Sequence, residues 1–473
     1  MLTLRINGSA NLKFIYMKKI LFTIALLVFI NIYLPAQSWF ELGGLNGLSA
    51  NGVINAICVD ALGNVYAGGN FINSSGNRYV AKWDGTNWTE LGGLNALAAN
   101  AEIITVCTDA SGNIYAGGGF SNSSGNRYVA KYNGTNWSEL GGVNGLSANG
   151  GILTICSDAS GNIYAGGSFY INPWNTYIAK YNGSSWSQLG ATFTYPANAQ
   201  IAAVCSDASG NIYCGGVFYN GSSNQYVAKY NGANWSELGG INGLSANNFI
   251  NSVYSDVAGN IYAAGFFTNS SGNRYVAKYN GSNWSELGGL NALTANGNIN
   301  SVCSDVAGTI YAAGQFTNSS VNGYVAKWNG TNWSELGGLN GLSANQSINH
   351  ICSDASGNIY AAGAFTNNSG NYYVAKFGSA TSVSNVNKFD DEIQISPIPA
   401  KDYINIHCNM SFFAKTNISF FNLYGQNIKT IPIEKQIIGA YELEINVKGF
   451  EQGIYFVKIF DGEKSYCKKL IVE

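Results

Sequence analysis

Four short runs within residues 299–338 decide the fold: INSVCSD (299–305), TIYAAGQF (309–316), GYVAKWN (323–329) and NWSELGG (332–338). Each run is rich in β-branched or aromatic residues, and the turn sequences DVAG and NGTN separate the first run from the second and the third from the fourth. No 3.6-residue periodicity of apolar residues passes through this unit, which excludes a helical solenoid. The segment therefore predicts four short strands joined by turns.

The same unit recurs at a fixed spacing of 49 residues along most of the chain. Seven tryptophans follow this spacing from Trp39 to Trp333, without an insertion or a deletion. In register with them stand seven aspartates (Asp60, Asp109, Asp158, Asp207, Asp256, Asp305 and Asp354) and seven lysines (Lys82, Lys131, Lys180, Lys229, Lys278, Lys327 and Lys376). Repeats of this length with four strands each predict an all-β fold, a seven-bladed β-propeller.

The first tryptophan run, SWFELGG at residues 38–44, precedes the first complete repeat. The last repeat ends at YYVAKF (372–377) and has no tryptophan run of its own. The N-terminal run is therefore predicted to supply the outer strand of the seventh blade, which closes the ring and covers two open strand edges.

The repeats resemble the kelch family. In the first, NVYAGG (64–69) is followed by YVAKWDGTNWTEL (79–91), which gives Gly-Gly at the end of the second strand, an aromatic residue in the third and a Trp opening the fourth. The resemblance covers residues 39–377 and departs from kelch in the spacing of the aromatic residues and in the Asn that usually follows the third-strand aromatic. It implies a propeller with this strand order, and no kelch partner.

Six cysteines occupy one repeat position, where Tyr254 stands in the seventh: Cys58, Cys107, Cys156, Cys205, Cys303 and Cys352. Equivalent positions of successive repeats are too far apart for a disulfide, so these residues are predicted to be buried, free thiols. Cys408 and Cys467 lie outside the repeats and remain a possible pair.

The N-terminal residues have the layout of an export signal. MKKILFTIALLVFINIYLPAQS (17–38) combines two lysines, an apolar run and a small-residue site near Ala36, as in a secretory signal peptide; an anchored helix is the alternative. Residues 1–36 are therefore interpreted as an upstream extension and signal peptide starting at Met17. The domains that follow are predicted to be a propeller at 37–380, a linker at 381–392 and a small β-sandwich at 393–473.

The C-terminal segment resembles the sorting domain of proteins exported by the type IX secretion system of Bacteroidetes. The matching elements are ISPIPAKDYINI (395–406), FFNLYGQNIK (420–429), GIYFVKI (453–459) and KKLIVE (468–473), with Ile398 where the family usually has Asn. The resemblance implies recognition by the secretion machinery, passage across the outer membrane, removal of the tail and often attachment to the cell surface. The protein is expected to be secreted or held at that surface, with no other contact with a membrane.

One neighbourhood breaks the repeat pattern. FYINPWNTY (169–177) replaces the usual FTNSSGNRY, and GATFTYPANAQ (190–200) replaces GGLNGLSANG; both lie in the long loops, the face where function is expected. Aromatic rings beside amides suit a sugar, whose apolar face stacks and whose hydroxyls need polar partners. The predicted ligand-binding residues are Tyr170, Asn172, Trp174, Asn175, Phe193 and Tyr195. Local drift compensated by extra packing is the alternative.

The rest of the chain offers little chemistry. It has two histidines, His350 and His407, and neither an HExxH nor a GxSxG motif, so no enzyme and no cofactor are predicted. The repeated aspartates are predicted to open hairpin turns, with calcium binding as an alternative, and the repeated lysines to pair with the glutamates of WSELGG. From Gln37 onward the formal charge is −6, with no basic stripe, which argues against nucleic acid.

These observations favour a secreted or cell-surface, non-enzymatic binding or adhesion protein that recognises an extracellular glycan or protein. The alternatives are a polysaccharide lyase or hydrolase, for which Glu102 and His350 are among the few unique ionisable residues, and a purely structural surface-coat protein held by multivalent weak contacts.

Overall fold

A computed structural model describes residues 37–171, 175–194, 199–378, 393–409, 416–422, 427–433, 440–460 and 465–473. The chain divides into two compact units, Met1–Ala380 and Thr381–Glu473. The predicted signal peptide at 1–36 and linker at 381–392 lie outside the described residues.

The described part of the N-terminal unit contains seven four-stranded antiparallel sheets, one per repeat. The first strands are Ile54–Val59, Ile103–Thr108, Ile152–Ser157, Gln200–Ser206, Ile250–Ser255, Ile299–Ser304 and Ile348–Ser353. The second strands are Val65–Gly69, Ile114–Gly118, Ile163–Gly167, Ile212–Val217, Ile261–Gly265, Ile310–Gly314 and Ile359–Gly363. The third strands are Ala81–Trp83, Ala130–Tyr132, Ala179–Tyr181, Ala228–Tyr230, Ala277–Tyr279, Ala326–Trp328 and Ala375–Gly378. The outer strands are Trp88–Glu90, Trp137–Glu139, Trp186–Gln188, Trp235–Glu237, Trp284–Glu286, Trp333–Glu335 and, in repeat 7, Ser38–Glu41.

Short elements fill the connections between repeats. Six one-turn 3-10 helices follow outer strands: Gly44–Asn46, Gly93–Asn95, Gly142–Asn144, Gly240–Asn242, Gly289–Asn291 and Gly338–Asn340. Between repeats 3 and 4 a two-stranded ribbon of Asn175–Thr176 and Phe193–Thr194 is present instead. The all-β prediction is confirmed, and the repeated four-stranded sheets form a β-propeller.

The prediction that the N-terminal run supplies the outer strand of the last sheet is confirmed. Ser38–Glu41 pairs antiparallel with Ala375–Gly378, so that Trp39 lies opposite Phe377, and the Trp39 indole Nε1 donates a hydrogen bond to the Leu336 carbonyl at 3.0 Å. At the inner edge, Asn349 Nδ2 of repeat 7 donates to the carbonyl of Ile54 in repeat 1 at 3.3 Å. The last repeat is therefore joined to the first by the N-terminal strand at the outer edge and by the Asn349 hydrogen bond at the inner edge.

The tryptophans join each repeat to the one before it. Trp137 of repeat 2 lies between sheets and donates its indole N–H to the Leu91 carbonyl of repeat 1 at 2.9 Å. The same bond recurs from Trp39, Trp88, Trp186, Trp235, Trp284 and Trp333. These indoles combine apolar contact area with a satisfied donor, so they hold neighbouring sheets at a fixed spacing.

The repeated aspartates open hairpin turns, as predicted. In repeat 2, Asp109 Oδ1 accepts backbone N–H bonds from Ser111 and Asn113 at 2.9 Å, while Oδ2 accepts from Asn113 Nδ2 at 2.7 Å and from the Tyr115 hydroxyl at 2.8 Å. The turn recurs in every repeat, with Thr309 replacing the Asn in repeat 6. Four donors thus engage the Asp109 carboxylate. Calcium binding at these aspartates stays an alternative prediction.

The predicted pairs between the repeated lysines and glutamates are wrong. Lys131 lies opposite Ser138 and Glu139 opposite Ala130, so the two side chains leave opposite faces of the sheet. Lys131 Nζ stands 5.7 Å from the centre of the Tyr115 ring, and Glu139 accepts a hydrogen bond from Asn122 Nδ2 at 3.1 Å. Successive side chains along a strand point to opposite faces of the sheet, so the lysine and the glutamate of one repeat lie on different faces and do not meet.

The repeated cysteines are free thiols, as predicted, but only Cys303 among them is fully buried and the other five are half-buried. Burial raises the pKa of the Cys107 thiol, which keeps it protonated. Cys408 and Cys467 belong to strands of two different sheets, and the positions of their side chains are outside the described part of the chain.

The C-terminal unit is a two-sheet sandwich. One sheet contains Ile393–Ser396, Tyr403–Asn409 and Ala440–Asn446; the other contains Asn427–Ile433, Thr416–Asn422, Gly453–Phe460 and Ser465–Val472. Ile404 and Ile406 from the first sheet pack with Phe420, Val457 and Leu470 from the second in one buried core. The alternation of buried and exposed residues that predicts these strands is what lets both sheets bury one face.

Because the turn aspartates are hydrogen-bonded, we expect the fold to lose stability in acid. Burial raises the pKa of Asp109, but hydrogen bonds from Asn113, Tyr115 and Ser111 outweigh this and lower it below the usual 3.8; Asp60, Asp158 and Asp207 shift in the same direction. A carboxyl whose pKa is lower in the folded state contributes stability above its unfolded pKa and loses it as the pH falls through the folded value. The urea midpoint should therefore fall between about pH 4 and pH 2.

His350 adds a second acidic window that can be separated from the first. Burial lowers its pKa from 6.5 to about 4, so stability should decline as the pH falls from 6.5 towards 4. His350→Ala, which places the residue found at the equivalent Ala56 of repeat 1, should abolish the decline in that window and retain the one below it. If the urea midpoint of the native chain does not change between pH 6.5 and about pH 2, both the His350 and the aspartate explanations are contradicted.

Candidate functional site

The two departures from the repeat pattern meet, as their positions predict. Asn175 lies opposite Thr194, and Thr176 opposite Phe193, in the short ribbon between repeats 3 and 4. Tyr170 is 44% exposed, and its carbonyl accepts a hydrogen bond from Asn149 Nδ2 at 2.9 Å. The ribbon thus brings one exposed tyrosine close to the half-buried Asn175.

The other predicted ligand residues do not join them on a described surface. Phe193 is 5% exposed and packs against Phe218 and Trp235, with ring centres 4.7 and 5.1 Å away, so it serves the core and offers no open ring face. Asn172, Trp174 and Tyr195 lie outside the described residues. A ligand site in this neighbourhood stays a prediction.

A different cavity, of about 400 Å³, lies between repeats 2 and 3. The residues that line it are Asp109, Ser111, Asn113, Tyr115, Lys131, Ser138, Glu139, Leu140 and Gly141 from repeat 2 and Gly161, Tyr181 and Gly183 from repeat 3. We call this space the seam cavity. It includes residues of the tight turns, whereas the sequence pattern favours the long loops as the place of binding.

The seam cavity was missed because its residues belong to the regular pattern and not to its exceptions. Asp109 and Lys131 each have a structural explanation within their own repeat, and only the packing of two repeats puts a gap beside them and Ser138. The one signal in the sequence was their fixed spacing, with Asp109 in a turn, Lys131 in the third strand and Ser138 in the outer strand.

The Lys131 ammonium is a charged group in this cavity whose N–H donors are not used by any described residue. Its ammonium lies above the Tyr115 ring, and within the described part of the chain no carboxylate comes within 4 Å of it. Burial, together with the hydrogen bond to Asp109, raises the pKa of Tyr115, so its hydroxyl stays protonated and donates to Asp109. The cavity therefore combines a saturated carboxylate with an ammonium that has three donors to offer.

The same arrangement recurs around the repeats. The lysine lies over the second-strand tyrosine in six of them: Lys82–Tyr66, Lys131–Tyr115, Lys180–Tyr164, Lys229–Tyr213, Lys278–Tyr262 and Lys376–Tyr360. The third-strand residue of the next repeat, which is Tyr181 at the seam cavity, is tyrosine at four seams; the aromatic residues Trp328, Phe377 and Trp83 stand there at the others. Repeat 7 has Phe40 where repeat 2 has Ser138.

The ionisable residues suggested for an enzyme are not brought together. Glu102 directly precedes the first strand of repeat 2, and His350 lies in the first strand of repeat 7, with repeat 1 between them. None of the described residues hydrogen-bonds to the His350 Nδ1 atom. Among the described residues, no three His, Cys, Asp or Glu side chains form a group that could hold a metal ion.

Residues 394–473 match the family of secretion system C-terminal sorting domains. The predicted resemblance of this segment is confirmed and supports export by the type IX secretion system. The protein is delivered to the cell surface or the extracellular space. The described residues include no helix that is both long and apolar enough to cross a membrane.

No curated protein sequence matches the chain. Among solved structures, the extracellular domain of a one component system from B. thetaiotaomicron is similar, with 12% identity over 93% of this chain and 58% of that chain, and a TM-score of 0.49. A six-bladed lectin from Aleuria aurantia shares 15% identity over 61% of this chain and 95% of its own, with a TM-score of 0.38. An ulvan lyase shares 12% identity over 71% and 95% of the two chains, with a TM-score of 0.41. The chain thus spans less than two thirds of the first of these structures.

Proposed function

We propose that the protein is an exported, non-enzymatic binding protein, a kelch-like propeller of seven blades that takes an extracellular glycan in the seams between blades. The seam cavity carries the proposal, because its Lys131 ammonium, Ser138 and the Tyr181 ring face a space that can admit a small sugar. The sorting domain supports the extracellular setting of the ligand.

The blade count is supported by the way the repeats join. Seven four-stranded sheets share one order of strands, and Ser38–Glu41 completes the last of them. First strands of neighbouring repeats lie against each other, including those of repeats 7 and 1. In such a ring a seam lies between every two neighbouring repeats, and the lysine lies over its tyrosine in six of the repeats, which favours repeated weak binding.

Filling the seams should weaken glycan binding. Ser138→Phe copies the residue that repeat 7 already holds at Phe40, so the larger side chain is compatible with the fold while it occupies the cavity. We expect the full chain with phenylalanine at Ser138, Ser187, Ser236 and Ser285 to lose at least tenfold in affinity on a glycan array, roughly the loss of one well-made contact. An unchanged thermal midpoint would show that the variant folds.

Tyr170→Ala tests the long-loop neighbourhood in the same assay. We propose this neighbourhood, with Tyr170 and Asn175, as an additional contact surface for longer chains. Loss of binding in Tyr170→Ala with native binding by the filled-seam variant would move the site to the long loops and overturn the seam assignment.

The two alternatives have distinct signatures. Release of products from a polysaccharide incubated with the full chain would favour the enzyme. The surface-coat alternative draws support from six fully exposed aliphatic side chains on the 3-10 helices: Leu45, Leu94, Val143, Ile241, Leu290 and Leu339. Concentration-dependent assembly in sedimentation experiments would favour it.

A further inference from the structure

We infer that the seams select an acidic polysaccharide, through contact of its carboxylate or sulfate oxygens with the repeated lysine ammonium. This inference rests on the proposed function and adds the chemical class of the ligand. Its basis is the imbalance between hydrogen-bond donors and acceptors in the seam cavity.

Two carboxylate residues line the cavity. The Glu139 side chain leaves the opposite face of the sheet from Lys131 and accepts from Asn122, so Asp109 is the carboxylate on the side of the ammonium. Both oxygens of Asp109 are engaged, Oδ1 by two backbone N–H groups and Oδ2 by Asn113 Nδ2 and the Tyr115 hydroxyl. The Tyr181 hydroxyl donates to the Gly183 carbonyl at 3.0 Å, so it offers a ligand only its oxygen as an acceptor. The protons of a neutral sugar therefore meet the hydroxyl oxygens of Tyr181 and Ser138, but no free carboxylate on the side of the ammonium.

The donors in the cavity are free by comparison. No described group accepts a hydrogen bond from Lys131 Nζ, and the Ser138 hydroxyl has no described partner. A carboxylate or sulfate ester presents acceptors only, and a hydrogen bond from an ammonium to such a group is about twice as strong as one between neutral groups. The cavity therefore matches a ligand that is rich in acceptors and negatively charged.

The acidity of the rest of the protein does not prevent this contact. From Gln37 onward the formal charge is −6, which disfavours a polyanion at long range. At physiological ionic strength the Debye length is about 8 Å, so charges farther away are largely screened and the ammonium at the contact dominates. The Asp109 carboxylate lies nearer, but its charge is spread over four hydrogen bonds from its own turn.

Repetition makes an extended ligand more favourable than a single sugar. The lysine lies over its tyrosine at six described seams, and a polymer that reaches two seams converts the second contact into an intramolecular event. Linked sites of this kind raise the apparent affinity by roughly 10²–10⁴ when the geometry allows both contacts. Weak individual seams are thus sufficient for tight binding of a polymer.

The test compares three polymers on the full chain: polygalacturonate, which carries carboxylates, dextran sulfate and neutral dextran. We expect at least tenfold tighter binding to one or both acidic polymers than to dextran, weakened by added salt. Binding to the acidic polymers should weaken at least tenfold when five lysines are changed to Met: Lys82, Lys131, Lys180, Lys229 and Lys278. The same five positions changed to Arg should stay within about threefold of the native chain, because the charge and the donors remain.

A matched variant controls for overall charge. Changing Lys401, Lys429, Lys448, Lys458 and Lys469 of the C-terminal unit to Met alters the net charge equally and should leave binding unchanged. Equal native binding to dextran and to both acidic polymers would overturn the inference but keep a seam site, provided that the filled-seam variant still loses binding. Native-like binding by both the seam Lys→Met variant and the filled-seam variant would overturn the inference and the proposed function together.

Discussion

A chain that lacks residues 38–44 is expected to lose about 5 kcal/mol or more of folding stability and roughly 10 °C or more of its thermal midpoint. The deletion removes the outer strand of repeat 7, where Trp39 packs against Phe377 with ring centres 5.4 Å apart. It also removes Leu42, which is 5% exposed and whose backbone N–H donates to the Val374 carbonyl at 2.8 Å. Truncation of one large buried apolar side chain costs about 2–5 kcal/mol. The deletion removes the buried Leu42 and the half-buried Trp39 together with their strand.

The deletion also breaks bonds on both sides of the strand. Trp88 of repeat 1 loses the Leu42 carbonyl that accepts its indole N–H at 3.0 Å, and Asn367 loses the carboxylate of Glu41. The edge of the third strand, Ala375–Gly378, loses its partner and becomes open to other chains, so we expect aggregation to accompany unfolding. Calorimetry and light scattering measure the two effects.

A permuted chain provides the matched control. Moving residues 38–44 to a position after Gly378, with a short linker, restores the same strand through a different covalent connection. The permuted chain should regain most of the lost stability. A deleted chain with the thermal midpoint of the native protein would show that the N-terminal strand does not stabilise the last repeat.

Gly118→Ala is expected to destabilise the fold by about 3 kcal/mol, whereas Gly117→Ala should cost clearly less. A methyl group at Gly118 would overlap the carbonyl oxygen of Glu102, which is backbone and cannot turn aside. The first strand shifts register between Ile103 and Thr105 at this point, and that bulge brings its carbonyl against the second strand.

The neighbouring glycine is a control supplied by the chain itself. A methyl group at Gly117 would lie 2.7 Å from Ile152 Cγ2, a side-chain atom of the next repeat that can adjust. Repeats 5 and 6 already hold the fully buried Ala264 and Ala313 at the equivalent position. Urea unfolding of both variants makes the comparison, and equal losses would refute the explanation from close backbone approach.

The repeats made much of the fold predictable, because each of their residue types has one dominant local role. Asp109 and Gly112 mark a turn in any context that lets the carboxylate accept backbone N–H bonds, and Trp39 without a preceding repeat could only complete an unfinished sheet. The C-terminal motifs identified the sorting domain for a similar reason, since their alternation fixes which residues enter the core.

The candidate site was less predictable, because side-chain direction and contacts across seams decide it. Lys131 faces Tyr115 and not Glu139, since a one-residue difference along the strand sends two side chains to opposite faces. Phe193, which stands out in the sequence as an exception, fills the core beside Phe218. The predicted site consists of residues that break the repeat pattern, whereas the cavity is lined by residues that follow it.

The sheets, the turns and the strand that completes the last sheet could be predicted from the residues, because these depend on local turn chemistry, strand periodicity and a constant repeat length. The seam cavity could not be predicted, because it belongs to no single repeat: Lys131 and Tyr181 come from two sheets, and the space between them exists only when those sheets pack. Local patterns encode the shape of a sheet, whereas a cavity depends on the distance between two of them.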